Sequence, residues 1–276
     1  MDAREIAFPA KVAVIGSSGF VGSTLCRQLI SEGSQVFGFN SNSTDEDLRR
    51  QEFDLVIVAA PHAKKWWANS NSFEDELLIR NLVKRLSLLR GERVILYSTI
   101  DVFPQTNGVD ENFDCSGNTE PYGRNRFLLE EELRGLFTDL TVIRLPGLFG
   151  EGLKKNVLFD LLNRRMLENI SPRSTFQWYW LEQLWTDTKR VLSIGESLIA
   201  FNSEPISNRV LVRNVFPEIE PLLPRFWTEE SGSFVSYNVH SRFAFHWTGN
   251  VAPFMRDHVS VLEHLLRWKR SETYQD

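Results

Sequence analysis

A short apolar run, Lys11–Ile15 (KVAVI), passes directly into Gly16-Ser17-Ser18-Gly19-Phe20-Val21-Gly22 and then into the helix-like stretch Ser23–Ile30. Strand, glycine turn and helix in that order leave few folds open. The three glycines have separate physical tasks. Gly16 permits a tight turn out of the strand, Gly19 lets the backbone approach a pyrophosphate, and Gly22 lets the helix lie close against the sheet. The first N–H groups of a helix lack internal partners and face an anion placed at its start. The rival reading is an ordinary βα turn. The strand-to-helix context favours the ligand, so residues 16–22 are expected to hold a dinucleotide.

The length of 276 residues suits one large α/β domain, or a doubly wound domain with a smaller lobe, and 42 % hydrophobic residues suffice for a sizeable core. A net charge of −5 argues against a nucleic-acid partner, although local Lys and Arg can still bind one small phosphorylated ligand. Cys26 and Cys115 are too few for a disulfide framework, and neither they nor the five histidines show metal-binding spacing, so no metal is expected. Met1–Ala10 lacks the apolar centre of a secretory signal, and the run Leu55–Pro61 is far short of a membrane span. The expectation is a soluble, cytoplasmic protein with no membrane partner.

Gln35–Phe39 reads as the second strand. The position that follows, where an acid about 20 residues beyond the glycines would hold the ribose hydroxyls of NAD, is occupied by Asn40. A neutral pocket repels a 2′-phosphate less than a carboxylate does, so NADP is weakly favoured over NAD; the bland reading is a polar loop. Phe53–Ala60 is a third strand, apolar on both faces and ending in Ala59 and Ala60. Pro61–Asn69, which carries Lys64-Lys65-Trp66-Trp67, reads as a loop with two packing tryptophans, the rival being a cover over the cofactor or the substrate. Leu78, Leu82, Leu86 and Leu89 give residues 73–89 the period of a core-facing helix.

The next buried strand, Arg93–Ser98, ends in Ser98-Thr99-Ile100-Asp101-Val102-Phe103, and Pro121-Tyr122-Gly123-Arg124-Asn125-Arg126 follows. A hydroxyl at the end of a central strand and a Tyr opening a helix lie where α/β sheets place their ligands. Together with the GxxGxxG spacing, these residues resemble the extended short-chain dehydrogenase/reductase superfamily, the NAD-dependent epimerase/dehydratase family. The resemblance implies a Rossmann fold, a doubly wound parallel sheet with a small C-terminal substrate-binding lobe. It implies a cofactor cleft made by Gly16–Gly22, Asn40, Ala59, Ala60, Tyr122 and Arg126. Thr99 falls at the catalytic hydroxyl and Tyr122 at the general acid/base. The family's catalytic Lys falls on Arg126, which keeps the charge but effectively never gives up a proton. An Arg that serves as an electrostatic partner suffices, biasing Tyr122 toward tyrosinate; an Arg required to relay protons does not.

Leu140–Leu145 is a further strand, and Arg144, Phe149 and Gly150 match the family's "R-x-x-N-x-Y/F-G", with Gly147 in place of the Asn. The resemblance divides the chain into a cofactor domain, residues 1–150, and a substrate lobe, residues 151–276, the last Rossmann strand lying near 198–202. Lys154, Lys155 and Asn156 precede a helix over Val157–Met166, in a region that handles a nucleotide diphosphate in the family; two solvated lysines are the rival. Ser174–Trp185 runs from a strand into a short helix. There Trp178 or Tyr179 either stacks on the substrate or packs in the core, and the latter is favoured. Asp101 is a further substrate candidate. Arg209–Phe216 and Val259–Trp268 read as helices, and Pro217–Pro224 as irregular. The short lobe is similar to that of the dTDP-4-dehydrorhamnose reductase type. The resulting expectation is hydride transfer to or from a nucleotide-linked sugar, with a homodimer as a family-level expectation. Two rivals stand: a catalytically weak NAD(P)-binding sensor, motivated by Arg126, and a reductase of a non-nucleotide carbonyl.

Overall fold

A computed structural model of the chain describes residues 9–49, 52–223, 227 and 234–273. In chain order the strands and helices are β1 (Lys11–Ile15), α1 (Phe20–Ser31), β2 (Gln35–Phe39), α2 (Asp45–Arg49), β3 (Glu52–Val58), α3 (Lys65–Ser70), α4 (Ser72–Leu86), β4 (Arg90–Thr99), β5 (Asn107–Val109), α5 (Pro121–Leu136), β6 (Leu140–Leu145), β7 (Gly147–Phe149), α6 (Val157–Leu162), β8 (Thr175–Phe176), β9 (Trp178–Trp180), α7 (Leu184–Ile194), β10 (Leu198–Ala200), β11 (Ile206–Ser207), α8 (Asn208–Asn214), β12 (Asn238–Val239), α9 (Phe245–Thr248) and α10 (His258–Thr273). Among the described residues no helix is long and apolar enough to cross a membrane.

Six strands form one sheet in the order β10-β6-β4-β3-β1-β2, with β2, β1, β3 and β4 paired in parallel. This is the Rossmann doubly wound arrangement. The chain leaves β1 for one neighbour, β2, and returns to the other, β3, so the order reverses beside β1. Ligands of open α/β sheets bind at the carboxyl ends of strands flanking such a reversal. The apolarity of β1 and β3 follows from burial on both faces: Val12, Ala13, Val14 and Val56–Val58 are fully covered. Val56, Val58, Val94 and Leu96 of the sheet pack with Ile79 and Leu86 of α4 and Leu129 and Leu133 of α5.

The chain divides into two compact units, residues 1–104, 113–144 and 182–199 in the first and 105–112, 145–181 and 200–276 in the second. A single boundary at 150 therefore does not describe it. Residues 182–197, expected in the lobe, belong to the first unit, as do 198–199 of the expected last strand. There Trp185 donates its indole N–H to Glu32 (3.2 Å), Lys189 pairs with Glu32, and the Thr188 hydroxyl meets the Tyr97 hydroxyl at 2.6 Å. The short helix expected near Trp185 thus becomes the full-length α7, its length set by a buried face of Leu184, Trp185, Thr188 and Val191. Pro61–Asn69 is not all loop, because α3 begins at Lys65; Trp66 does not pack, being 70 % exposed. The helix expected to reach Met166 stops at Leu162, and Arg164 and Met166 take positive φ.

The second unit has its own core, in which Phe149, Leu158, Leu161, Trp178, Leu211, Phe216, Val261, Leu265 and Trp268 meet. Two buried polar side chains tie its short strands. Gln177 donates to the carbonyls of Ser203 and Val239 and accepts from the Val239 N–H. The Glu111 carboxylate accepts from the backbone of Ala200 and Arg242 and from the Ser241 hydroxyl. Arg242 also donates a side-chain N–H to Asn112 (2.7 Å). Pro217–Leu222 forms a 3-10 helix rather than irregular chain; Pro224 lies outside the described residues.

Candidate active site

The glycine turn is closed by contacts that only hydrogen side chains permit. Gly16 has φ +85°, and a Cβ there would stand 2.5 Å from the Ala59 carbonyl oxygen, at the end of the neighbouring β3. A Cβ on Gly22 would stand 2.1 Å from the Gly16 carbonyl oxygen. The turn is fixed by Gly16 and Ser17 N–H donating to the Phe39 carbonyl and by Gly19 N–H donating to that of Gly16. Gly19 caps α1 with no side-chain hydrogen bond, and the first turn of the helix carries no acid. Backbone N–H groups at an uncapped helix start, with no carboxylate beside them, fit a pyrophosphate. Ser18 and Gly19 are exposed, Phe20 and Val21 half-buried. Ala59 bonds back to the Ile15 carbonyl, and Ala60 lies against Gly16. The residues present therefore fit a dinucleotide cofactor. Asn40, beyond β2, spends its amide oxygen on the Asn42 N–H (2.8 Å), and its own N–H goes to Ser43.

Tyr122 is seated by polar contacts made before its helix is one turn long. Pro121 occupies the first turn of α5, where a missing N–H costs nothing. Asn69, from α3, accepts the Tyr122 N–H (2.9 Å) and donates to Glu120. Thr99 caps the 3-10 turn Ile100–Val102: its hydroxyl accepts the Asp101 N–H (3.1 Å) and donates to the Asp101 carboxylate (3.4 Å). Gly123 brings the turn and α5 together, since a Cβ there would stand 2.0 Å from the Asp101 carbonyl oxygen. Asn118 completes the junction, donating to the carbonyls of Asp101 and Val102 and accepting the Glu120 N–H.

Arg126 does not reach outward as an unpaired cation. It is 5 % exposed and forks onto Asp75 of α4, itself 2 % exposed, with Nη1 2.9 Å from Oδ2 and Nη2 3.1 Å from Oδ1. Nη2 also donates to the His62 carbonyl, and Asn125 donates to Asp75. The guanidinium carbon sits 4.5 Å from the centre of the Tyr122 ring. A second cation, Lys65 of α3, bonds the Asp101 carboxylate at 2.7 Å. Burial pushes the Tyr122 phenol up to about 12 from the ordinary 10; Arg126 and Lys65 pull it down and Asp101 pushes it up. Arg126 pulls Tyr122 toward tyrosinate, the expected direction, and desolvation outweighs that pull.

The first unit therefore brings together the glycine turn, Asn40, Ala59 and Ala60 around the strand reversal, and Thr99, Asp101, Tyr122 and Arg126 around the start of α5. Lys154, Lys155, Asn156 and Trp178 belong to the second unit. Lys154 and Lys155 are exposed. Asn156 is committed to capping α6, accepting from Leu158 and Phe159 N–H. Trp178 takes the favoured of its two readings, core packing, and not the substrate-binding one: it is 2 % exposed, with its ring against Gly147, where a Cβ would stand 2.9 Å away. Arg144 is also structural, paired with the fully buried Glu130 at 2.8 Å. Sequence reasoning missed Asp75 and the pairing of Lys65 with Asp101. The signal for Asp75 was present, a carboxylate one turn before Ile79 on the buried stripe of a helix, where an unpaired charge is too costly to keep. Among the described residues no cluster of His, Cys, Asp and Glu fits a metal ion.

A profile of the NAD-dependent epimerase/dehydratase family matches residues 12–176. No curated protein matches the chain. Solved structures do. MoeE5 in complex with UDP-glucuronic acid and NAD is 17 % identical, with 95 % of this chain and 99 % of that one covered and a TM-score of 0.71. The dTDP-4-dehydrorhamnose reductase from Bacillus anthracis str. Ames in complex with NADP is 16 % identical, over 95 % and 98 %, with a TM-score of 0.73. The UDP-glucose 4-epimerase of Thermotoga maritima with UDP-glucose is 16 % identical, over 96 % and 99 %, with a TM-score of 0.66. At such identities the likeness is one of fold.

Proposed function

This chain belongs to the NAD-dependent epimerase/dehydratase family of the extended short-chain dehydrogenase/reductase superfamily, an enzyme family that works with a nicotinamide cofactor, and from that premise we propose that it acts on a carbonyl or carbinol of a nucleotide-linked sugar. The observation that carries the proposal is the seating of Tyr122 on the Thr99-capped turn, with Gly123 pressed against Asp101. Tyr122 is the proton-transferring group, and Thr99 is the hydroxyl that orients the substrate oxygen. Positioning of the two supplies most of the rate. The turn Gly16–Gly22 holds the pyrophosphate, Ala59 and Ala60 line the cleft, and the neutral Asn40 loop favours NADP over NAD. When bound, the nicotinamide supplies or accepts the hydride.

Arg126 has most of its fork engaged by Asp75 and His62, so it serves the site by stacking on the Tyr122 ring rather than as a free ribose ligand. Lys154 and Lys155 are the candidates for the substrate diphosphate. Nucleotide sugars are supported by the neighbours, which include structures holding UDP-glucuronic acid and UDP-glucose. The test is NAD(P)H consumption with a panel of nucleotide 4-keto-sugars, wild type beside Tyr122→Phe. Turnover abolished by Tyr122→Phe is expected. Tight cofactor binding with no turnover on any keto-sugar refutes the nucleotide-sugar reading and favours the sensor, which the pairing of both cations near Tyr122 also fits.

A further inference from the structure

We propose that Lys65 and Asp101 together form a contact for the hydroxyls of a neutral sugar, so that the site selects a sugar bearing adjacent free hydroxyls against one bearing a carboxylate. The inference rests on the functional reading above and narrows its substrate class. Two elements set the pair. Asp101 belongs to the 3-10 turn capped by Thr99, whose hydroxyl accepts the Asp101 N–H (3.1 Å) and donates to its carboxylate (3.4 Å). Lys65 opens α3, and Asn69, four residues on and so on the same face, accepts the Tyr122 N–H. That face of α3 meets both the turn and the start of α5, and the Lys65 ammonium reaches Asp101 Oδ1 at 2.7 Å. The charges of Lys65 and Asp101 both act on the Tyr122 phenol, which places the pair beside the reacting group.

The two ion pairs of this region differ in reach. The side chains of Arg126 and Asp75 are 6 % and 3 % exposed, closed to a ligand. Those of Lys65 and Asp101 are 45 % and 18 % exposed. Solvent touches both, and a ligand taking its place meets a donor and an acceptor side by side. An ammonium only donates hydrogen bonds, and a carboxylate only accepts them. A vicinal diol matches that arrangement. One hydroxyl accepts from Lys65 while its neighbour donates to Asp101, and both bonds are charge-assisted. The pair as a whole carries no net charge. A sugar carboxylate drawn toward Lys65 comes up against Asp101, and like charges so juxtaposed repel. An apolar ketone strips water from both charges and returns no hydrogen bond. The pair thus ranks a neutral polyol above a uronate and above an apolar carbonyl.

The test reads Lys65 directly, as the carbon-13 resonance of its ε carbon in lysine-labelled protein, assigned by its loss in Lys65→Met, with NADP present. UDP, UDP-glucose, UDP-glucuronic acid and methyl glucoside are added in turn, and calorimetry gives the affinities. Wild type is expected to shift the resonance with UDP-glucose and with methyl glucoside, and to bind UDP-glucose about tenfold tighter than UDP-glucuronic acid. Asp101→Asn removes the opposing charge and is expected to swing that ratio about tenfold toward the uronate, whereas Lys65→Met is expected to swing it the other way. A merely structural tie between α3 and the turn weakens both sugars alike, so a ratio unchanged in both variants overturns the proposal. So does a wild type that binds the uronate as tightly as the neutral sugar, or a Lys65 resonance that moves with neither UDP-glucose nor methyl glucoside. A Lys65 resonance moved by methyl glucoside, with no binding of UDP or of either UDP-sugar, counts against the nucleotide part of the functional reading and supports this proposal.

Discussion

Gly22→Ala tests the cofactor cradle at its tightest point. The new methyl carbon would stand 2.1 Å from the Gly16 carbonyl oxygen and 2.8 Å from the carbonyl carbon, both backbone, whereas ordinary contact begins at 3.4 Å. The gap between turn and helix must open by more than an ångström. Neither side yields cheaply, because Gly16 is tied to Phe39 and Gly19 to Gly16. Overpacking of this kind costs about 1–3 kcal/mol of stability. The shift also withdraws the first N–H groups of α1 from the anion. A hydrogen bond to a charged group contributes about 1.5–3 kcal/mol, so losing one weakens cofactor binding by roughly ten- to a hundredfold. Calorimetric titration with NADPH and NADH measures this, and Gly135→Ala is the control. A Cβ at Gly135 meets nothing within 4 Å; replacing a helical glycine stabilises by about 1 kcal/mol and should leave binding unchanged. Wild-type affinity in Gly22→Ala would refute the assignment of this turn to the cofactor.

Arg144→Met takes the bidentate partner from the fully buried Glu130 carboxylate, leaving it the Ser98 hydroxyl and Arg134, and is expected to cost about 3 kcal/mol in urea unfolding, most of it recovered in Arg144→Met/Glu130→Leu; additive losses would disprove the pairing argument. Burial holds the Cys115 thiol up to about 11 from 9.0 and the Tyr122 phenol up to about 12 from 10. The unfolded chain releases these protons first, so stability should be full below about pH 9 and fall through about pH 12, by up to about 1.4 kcal/mol per pH unit for each group within its window. Cys115→Ala should remove the lower part of that fall, and a urea midpoint that stays level from pH 8 to about 11 would contradict it. Lys154→Ala/Lys155→Ala is expected to raise KM for a nucleotide sugar about tenfold while leaving cofactor affinity alone; an unchanged KM would point to a non-nucleotide carbonyl.

Local pattern carried much of this fold. The β1–turn–α1 segment was legible because three glycines, a buried strand and a helix are adjacent in sequence, and the buried parts of β3, β4 and β6 declare themselves by their apolar runs, whereas β5, Asn-Gly-Val, carries no such signal. What the sequence hid lies in long-range pairing. Asp75 is separated from Arg126 by 51 positions and Lys65 from Asp101 by 36, so nothing in either neighbourhood names its partner. Trp178 stayed open between core and stacking platform, with the core favoured, because aromatic rings serve cores and ligands alike; only its cover of side chains decides. Residues 182–197 were misplaced because an amphipathic helix reveals that it has a buried face but not which body that face joins.

The chain enters and leaves each compact unit repeatedly, passing between them at 104/105, 112/113, 144/145, 181/182 and 199/200. Heredity and engineering meet the same obstacle here. A cut near residue 150 would release a first half without α7 or β10, leaving β6 as an open sheet edge and the Tyr97 hydroxyl without Thr188. Neither half is a module that can be fused, swapped or expressed alone. Exchange of a lobe with a relative therefore needs several matched crossings rather than one, and proceeds more simply by grafting loops inside a continuous chain.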